Sequence, residues 1–379
     1  MSQASPPQPG SGRRWRPALK LWHRWFGLVG GIWLILLAVT GSLITFYDEF
    51  DTLLNPDLRR VDPVAVEASV EAMVTSAVAA VPGFQPSHID LPERPDESVW
   101  MIGRAPGADG GPGGVQVFVD PSDARVLGWR ESGRVAFGRR YVMDIIYGLH
   151  VDLLIAPWVT WAFGLISLLW VIDHAISVVL AVPRLQLWRE AFSIGGSKGS
   201  LRRLFDLHRA PGLWAFPVTL ALAITGVTLA WPEDSREAVR LIAPVSERLH
   251  DHWPEVEPPT HPIGIDRAMA RVAQRDQIDS VRPLPHSGAY AIRTFDPRDL
   301  DRQGRLWTYV AMADGRMLGV RHDAGNGPGD AFFAWQFPLH SGQAFGLFGR
   351  ILVFLGGIIT AMLGVTGVIL WLRRGRRLI

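Results

Sequence analysis

The chain has 379 residues, 48% of them hydrophobic, with 16 tryptophans, 38 basic and 36 acidic side chains and no cysteine. That apolar content, with a positive mean hydropathy, excludes an ordinary soluble protein and points to a membrane one. The missing thiol excludes attached c-type haem, an iron–sulfur cluster, thiol catalysis and disulfides, and a net charge of +2 gives no reason to expect a nucleic-acid partner.

In chain order, residues 1–20 read as a cytoplasmic tail whose Pro-, Ser- and Gly-rich start is expected to be disordered. The first span falls in 21–47 with its uncharged part at Leu28–Phe46; Thr45-Phe46-Tyr47-Asp48 offers no cleavage pattern, so the span reads as an anchor. Residues 48–140 form a first insertion, with a helical pattern at Val66–Val81 and strand-like runs at Val99–Ile102 and Val115–Val119. An interfacial stretch and the second span fill 141–183, apolar from Trp158 to Val182, and a basic link occupies 184–207. The third span lies in 208–231, apolar over Leu213–Trp231. The second insertion, 232–335, repeats a helical pattern at Ile265–Val272 and strands at Tyr290–Phe295 and Leu306–Met312. A further interfacial stretch and the fourth span fill 336–372, apolar over Ile351–Leu372, before a basic tail at 373–379. Each insertion carries a strand, tight turn and return strand, one around Asp120-Pro121 to Gly128, the other around Asp314-Gly315 to Gly319. The expected fold is an α-helical membrane protein: a four-helix transmembrane bundle from a duplicated two-helix unit, with two α+β external domains.

The basic residues set the orientation. Arg13, Arg14, Arg16, Lys20 and Arg24 precede the first span, Arg184, Arg189, Lys198, Arg202, Arg203 and Arg209 fill the link, and Arg373, Arg374, Arg376 and Arg377 follow the fourth. The positive-inside rule makes these stretches and both termini cytoplasmic and both insertions external.

A histidine marks each span. His23-Arg24-Trp25-Phe26-Gly27, then Thr40-Gly41, returns as His208-Arg209-Ala210-Pro211-Gly212, then Thr225-Gly226, at a constant offset of 185 residues. A second echo pairs Gly148-Leu149-His150 with Pro338-Leu339-His340 at an offset of 190. Duplicated units facing each other would bring His23 opposite His208 at one membrane face and His150 opposite His340 at the other, enough to hold two b-type haems by two axial nitrogens each. Gly27 and Gly212, four residues after the inner histidines, either leave room for a flat macrocycle or serve close helix packing. Arg24, Arg209 and Arg350 either pair with haem propionates or snorkel to lipid phosphates. The outer histidines have their own alternative, as hydrogen-bonded interfacial residues. His340 stands about 11 residues before the apolar run, roughly 16 Å along a straight helix, so Ser341 to Gly346 are expected to fold back.

In its order of motifs the chain resembles the PepSY-associated transmembrane helix proteins of bacterial inner membranes. The resemblance rests on His-Arg-x-x-Gly before spans one and three, Thr-Gly in spans one, three and four (Thr366-Gly367), and Phe337-Pro338-Leu339-His340-Ser341-Gly342 with Gly349-Arg350. Trp371-Leu372-Arg373-Arg374 and the hairpin of a PepSY domain, Asp120 with five residues before Val126-Leu127-Gly128, complete it, from about Leu21 to Arg374. It implies an inner-membrane dihaem reductase that passes electrons from a cytoplasmic reductase or quinol to a periplasmic Fe(III)-siderophore. A PepSY-domain anchor without redox activity and a permease-like component of chelate uptake are the alternatives.

His174 breaks the repeat: its counterpart at the 190 offset is Gly364. Beside Asp173 and deep in span two, it could ligate the inner haem, bond propionates or relay protons, or simply pair with Asp173. His88, His250, His252, His261, His286 and His322 read as solvated residues of the insertions; His250-Asp251-His252 lacks a third metal ligand.

Overall fold

The computed structural model describes residues 15–63, 67–106, 112–182, 185–247, 253–273, 277–301 and 303–375. The Pro-rich start, His250, His252 and the basic residues Arg13, Arg14, Arg184, Arg376 and Arg377 lie outside these residues.

In chain order the elements are α1 (Trp15–Ile44), α2 (Tyr47–Leu54), α3 (Pro56–Arg59), α4 (Val70–Ala80), β1 (Gln85–Asp90), β2 (Val99–Pro106), β3 (Pro112–Val119) and β4 (Val126–Ser132). There follow α5 (Val142–Val151), α6 (Pro157–Ala181), α7 (Trp188–Ala191), α8 (Leu201–Ala230), α9 (Pro232–Arg240) and α10 (Ile265–Met269). The second insertion continues with β5 (Ile278–Leu284), β6 (Ala289–Thr294), β7 (Leu306–Ala311) and β8 (Met317–His322), and the chain closes with α11 (Pro328–Ser341) and α12 (Gly346–Gly375). Two compact units result: Met1–Ser42, Thr160–Ala230 and Leu352–Ile379 form one, Leu43–Val159 and Trp231–Ile351 the other.

The first unit holds α1, α6, α8 and α12, four helices long and apolar enough to cross a membrane. Thirty residues of helix reach about 45 Å, against a hydrocarbon core of about 30 Å, so α1 and α8 run past their apolar stretches into Arg- and Lys-bearing turns. The apolar run alone marks the span, whereas Lys and Arg continue a helix readily and keep their charges toward water. His23 and His208 consequently sit two turns inside α1 and α8, just before the apolar runs. Close approach of α1 and α12 depends on missing side chains: a Cβ on Gly357 would strike Ser42, and one on Gly364 would meet Ile35 at 2.6 Å.

The second unit is one eight-stranded antiparallel sheet in the order β4-β3-β2-β1-β5-β6-β7-β8. The two insertions are thus not separate α+β domains. Each supplies a four-stranded half, and the halves join where β1 pairs β5, with Ile89 opposite Val281 and Asp90 opposite Ser280. One core runs beneath both, from Met73, Met101 and Val117 through Ile89 and Val281 to Ile292 and Val310. Joining removes an exposed edge from each half, the usual hazard of a short antiparallel sheet. Helices α4 and α10 cap each other across the join. Asp266 accepts from Val70 and Glu71 backbone N–H at 3.0 Å, and Glu71 accepts from Ile265 N–H at 2.7 Å.

The opposite face of β4 carries a buried ion pair. Arg130 donates through Nη1 to Asp51 Oδ1 at 2.7 Å, through Nη2 to Asp51 Oδ2 at 3.0 Å and through Nε to Gln116 Oε1 at 2.8 Å. Both partners are shut from solvent. Asp51→Ala leaves that guanidinium charge uncompensated and is expected to cost about 3–5 kcal/mol, read as a lower midpoint in a urea titration of the detergent-solubilised protein. An unchanged midpoint would show that the pair is not holding α2 to the sheet.

Candidate functional site

Within the bundle unit, α1 and α8 bring His23 and His208 together, with ring centroids 6.2 Å apart and planes at 70°. Each ring is tied by its Nδ1 to a different helix. His23 Nδ1 lies 2.9 and 3.0 Å from the two carboxylate oxygens of Asp173 on α6. A carboxylate only accepts, so Nδ1 carries the proton and Nε2 is the nitrogen left over. His208 Nδ1 is 2.9 Å from Thr366 Oγ1 on α12. The single hydroxyl proton of Thr366 goes to the Met362 carbonyl at 2.7 Å, so its oxygen accepts from Nδ1–H, and again Nε2 keeps a lone pair.

Both imidazoles line a cavity of about 1040 Å³ in this unit. Its wall includes Gly27 and Gly31, where an added Cβ would meet no atom within 4 Å, and Gly212, against which Leu363 packs at 3.4 Å. The two glycines of the repeat therefore differ: Gly27 opens space, whereas Gly212 serves helix contact. Arg24 lines the cavity and lies over Trp25. Arg209 lines it too, with Nη2 bonded to Asp206 and the Glu190 carbonyl, and with its Nε buried and unpartnered.

His174 also borders the cavity, but both its nitrogens are engaged: Nδ1 donates to the Trp170 carbonyl at 2.8 Å and Nε2 is 3.0 Å from Thr219 Oγ1. The reading in which Asp173 and His174 satisfy each other fails, because Asp173 turns to His23 and His174 to α8. Asp173 as the orienting partner of His23 is what sequence reasoning missed; its signal was a lone carboxylate in an apolar span.

In the sheet unit, α5 and α11 bring His150 and His340 to a centroid distance of 6.3 Å with planes at 58°. Burial pulls the His340 imidazole down to about 4, which leaves it neutral with a lone pair near pH 7. The helix breaks where a fold-back is expected. Helix α11 ends at Ser341, Gly342 takes a left-handed φ of 79°, and α12 starts at Gly346. Gly342 and Gly349 lie so close that a Cβ on Gly349 would collide with the Gly342 carbonyl oxygen. On the other side, Leu153 and Leu154 are both left-handed, at φ 58° and 57°, and the Asp152 carboxylate accepts from Leu154 N–H at 2.9 Å. Pro157 then opens α6.

Arg350 does not wait unpartnered for a propionate or a lipid phosphate. Its Nε and Nη2 donate to the Thr45 carbonyl, just past the C-terminus of α1, at 3.0 and 2.8 Å, and Nη2 also reaches Glu49 at 2.7 Å. A cation there offsets the negative end of the helix dipole. Nor are all the insertion histidines solvated: His322 is buried against Asp299, and His88 sits between Asp90 and Arg282.

Among the described residues no group of three or more His, Asp or Glu side chains gathers as a metal-ion site. Fold and site together define a membrane protein with four candidate spans, facing imidazole pairs and a separate antiparallel sheet unit. The chain belongs to the PepSY-associated TM region family, whose model matches residues 21–374. No curated protein matches it.

The glycine contact that follows His340 can be tested alone. Gly349→Ala is expected to lower stability by about 1–3 kcal/mol or more through overpacking, seen as a lower thermal midpoint of the purified protein. An unchanged midpoint would mean that the chain reverses without this contact.

Proposed function

We propose that the protein is an inner-membrane dihaem b-type electron-transfer protein that reduces a periplasmic Fe(III)-siderophore with electrons from a cytoplasmic reductase or quinol. The observation that carries the proposal is the anchored inner pair, supported by the similar spacing of the outer one. A metal–nitrogen bond of about 2 Å to each ring, with the reach of the two rings, separates centroids by roughly 6 Å. The pairs stand at 6.2 and 6.3 Å. Edge-to-face aromatic contact covers the same range, about 4.5–7 Å, but contact alone does not call for fixed Nδ1–H tautomers or a large cavity beside the rings. Two nitrogens without further protein ligands suit a macrocycle, which supplies the remaining four donors, better than a tetrahedral ion site.

The residues fit the group. His23 and His208 would hold one haem and His150 and His340 the other. Gly27 and Gly31 leave space for the ring, and Arg24 and Arg209 offer cations to its propionates, the buried Nε of Arg209 included. When bound, haem supplies one-electron exchange at its iron. With two imidazoles holding each iron, the chain would favour electron passage over substrate coordination. Asp173 and Thr366 fix ring orientation and raise the electron-donating power of each Nε2. Phe216 and Leu363 add apolar wall to the cavity beside the inner pair.

The substrate's Fe(III) gains one electron to become Fe(II), a softer ion that hard oxygen donors hold less tightly, so iron leaves the chelate. The basic flanks of the spans support a periplasmic sheet unit and a cytoplasmic source of electrons. Duplication of a helix-pair-plus-half-sheet unit accounts for both the recurring motifs and the symmetric strand order.

Protein purified from haem-supplied cells and reduced with dithionite is expected to show b-type absorption bands; their absence removes the proposal. His23→Ala and His208→Ala should each lose the same haem, and His150→Ala and His340→Ala the other. Independent losses would break the pairing. Asp173→Asn is expected to weaken retention of the inner haem about 10–100-fold, measured by haem transfer to apomyoglobin, while the outer haem is retained as in the unaltered protein. Equal retention of both would deny Asp173 its orienting role.

A further inference from the structure

The two halves of the sheet carry an arginine at the same place. Arg130 on β4 stands opposite Gln116 on β3, and Arg321 on β8 stands opposite Trp307 on β7; each hairpin has its bulge after the second residue beyond that pair, at Phe118 and at Tyr309. In the first half the protein itself fills every demand of the guanidinium. Gln116 accepts from Nε, and Asp51, the fifth residue of α2, accepts from both terminal nitrogens.

In the second half both acceptors are replaced. Trp307 has only an N–H, which it donates to Asp323 at 3.0 Å. The fifth residue of α9 is Arg236, a cation where α2 has a carboxylate. Arg321 Nε is left buried without a hydrogen-bond partner. The nearest carboxylate, Asp330, is 4.0 Å from Nη2 and accepts instead from Ser246, through its backbone N–H at 2.8 Å and its hydroxyl at 2.6 Å.

Arg321 lines a cavity of about 360 Å³. Its charged neighbours on the wall already have partners: Arg298 donates to Asp296 at 2.7 and 3.1 Å, and His322 has Nε2 against Asp299 while its Nδ1 accepts from Ala324 N–H; Asn326 adds an amide to the lining. A buried N–H of a charged group without an acceptor is costly, and a planar guanidinium edge matches a carboxylate through two parallel hydrogen bonds. Glu247 on the same wall disfavours a multiply charged anion. The volume lies at the small end of ligand pockets, about 300–1,000 Å³.

We infer that this cavity in the second half of the sheet is a binding site for a small monocarboxylate, held by the Arg321 guanidinium through the Nε edge that Gln116 serves in Arg130. The site is independent of the haem reading. It makes the two halves unequal: one arginine is a structural tie, the other a receptor.

The test uses the full chain in detergent, with acetate, propionate and benzoate as probes and with chloride and inorganic phosphate as controls, at constant ionic strength. Saturation-transfer NMR of benzoate and the thermal midpoint are the readouts. Saturable binding of carboxylates is expected, at least tenfold weaker in Arg321→Gln and in Arg321→Lys, which keeps the charge and loses the planar fork. The midpoint of ligand-free Arg321→Gln should match that of the unaltered protein, in contrast to Arg130→Gln. The inference is overturned if carboxylates bind Arg321→Gln equally well, if phosphate binds more tightly than the carboxylates, or if ligand-free Arg321→Gln is destabilised as much as Arg130→Gln.

Discussion

The hydrogen bond from His23 to Asp173 governs the bundle. A carboxylate in a membrane span is expensive unless it is paired, and an imidazole facing a cavity turns freely unless its second nitrogen is held. Asp173 and His23 answer both demands at once, on two different helices, and His208 with Thr366 repeats the solution on the other two. Four helices are thereby locked around one pair of rings. Glycines at 357 and 364 let α1 and α12 come close enough for that arrangement to pack.

The sheet unit obeys a related constraint. Neither four-stranded half is complete: each would leave β1 or β5 as an open edge and half a core uncovered. Pairing β1 with β5 and exchanging the Asp266 and Glu71 caps makes one body from two insertions that lie far apart in sequence. Near-equivalent halves then diverge in detail. Arg130 is fully neutralised inside its half while Arg321 keeps an unmet donor.

The spans and the histidine pairs were legible because long apolar runs and a constant repeat offset survive in the sequence. The hairpins β3–β4 and β7–β8 were legible from turn chemistry and alternation. The strands β1 and β5 were not: Gln85-Pro86-Ser87-His88-Ile89-Asp90 and Ile278-Asp279-Ser280-Val281-Arg282-Pro283-Leu284 mix prolines and charges, and only tertiary pairing makes them strands. Hence two domains were expected where one sheet exists. The Arg350 contact was not legible either, since a cation near a span suits a propionate, a lipid phosphate or a helix end equally well, and only the fold shows Thr45 beside it. Asp173 was visible as an oddity, but its partner lies 150 residues away on another helix.

The account stands or falls on two haems held by two imidazole pairs. The most direct measurement is the amount of haem b per polypeptide, by pyridine haemochrome assay on protein purified from haem-supplied cells and quantified by amino-acid analysis. Two haems per chain are predicted. One would leave a histidine pair without its role, and none would contradict the account altogether.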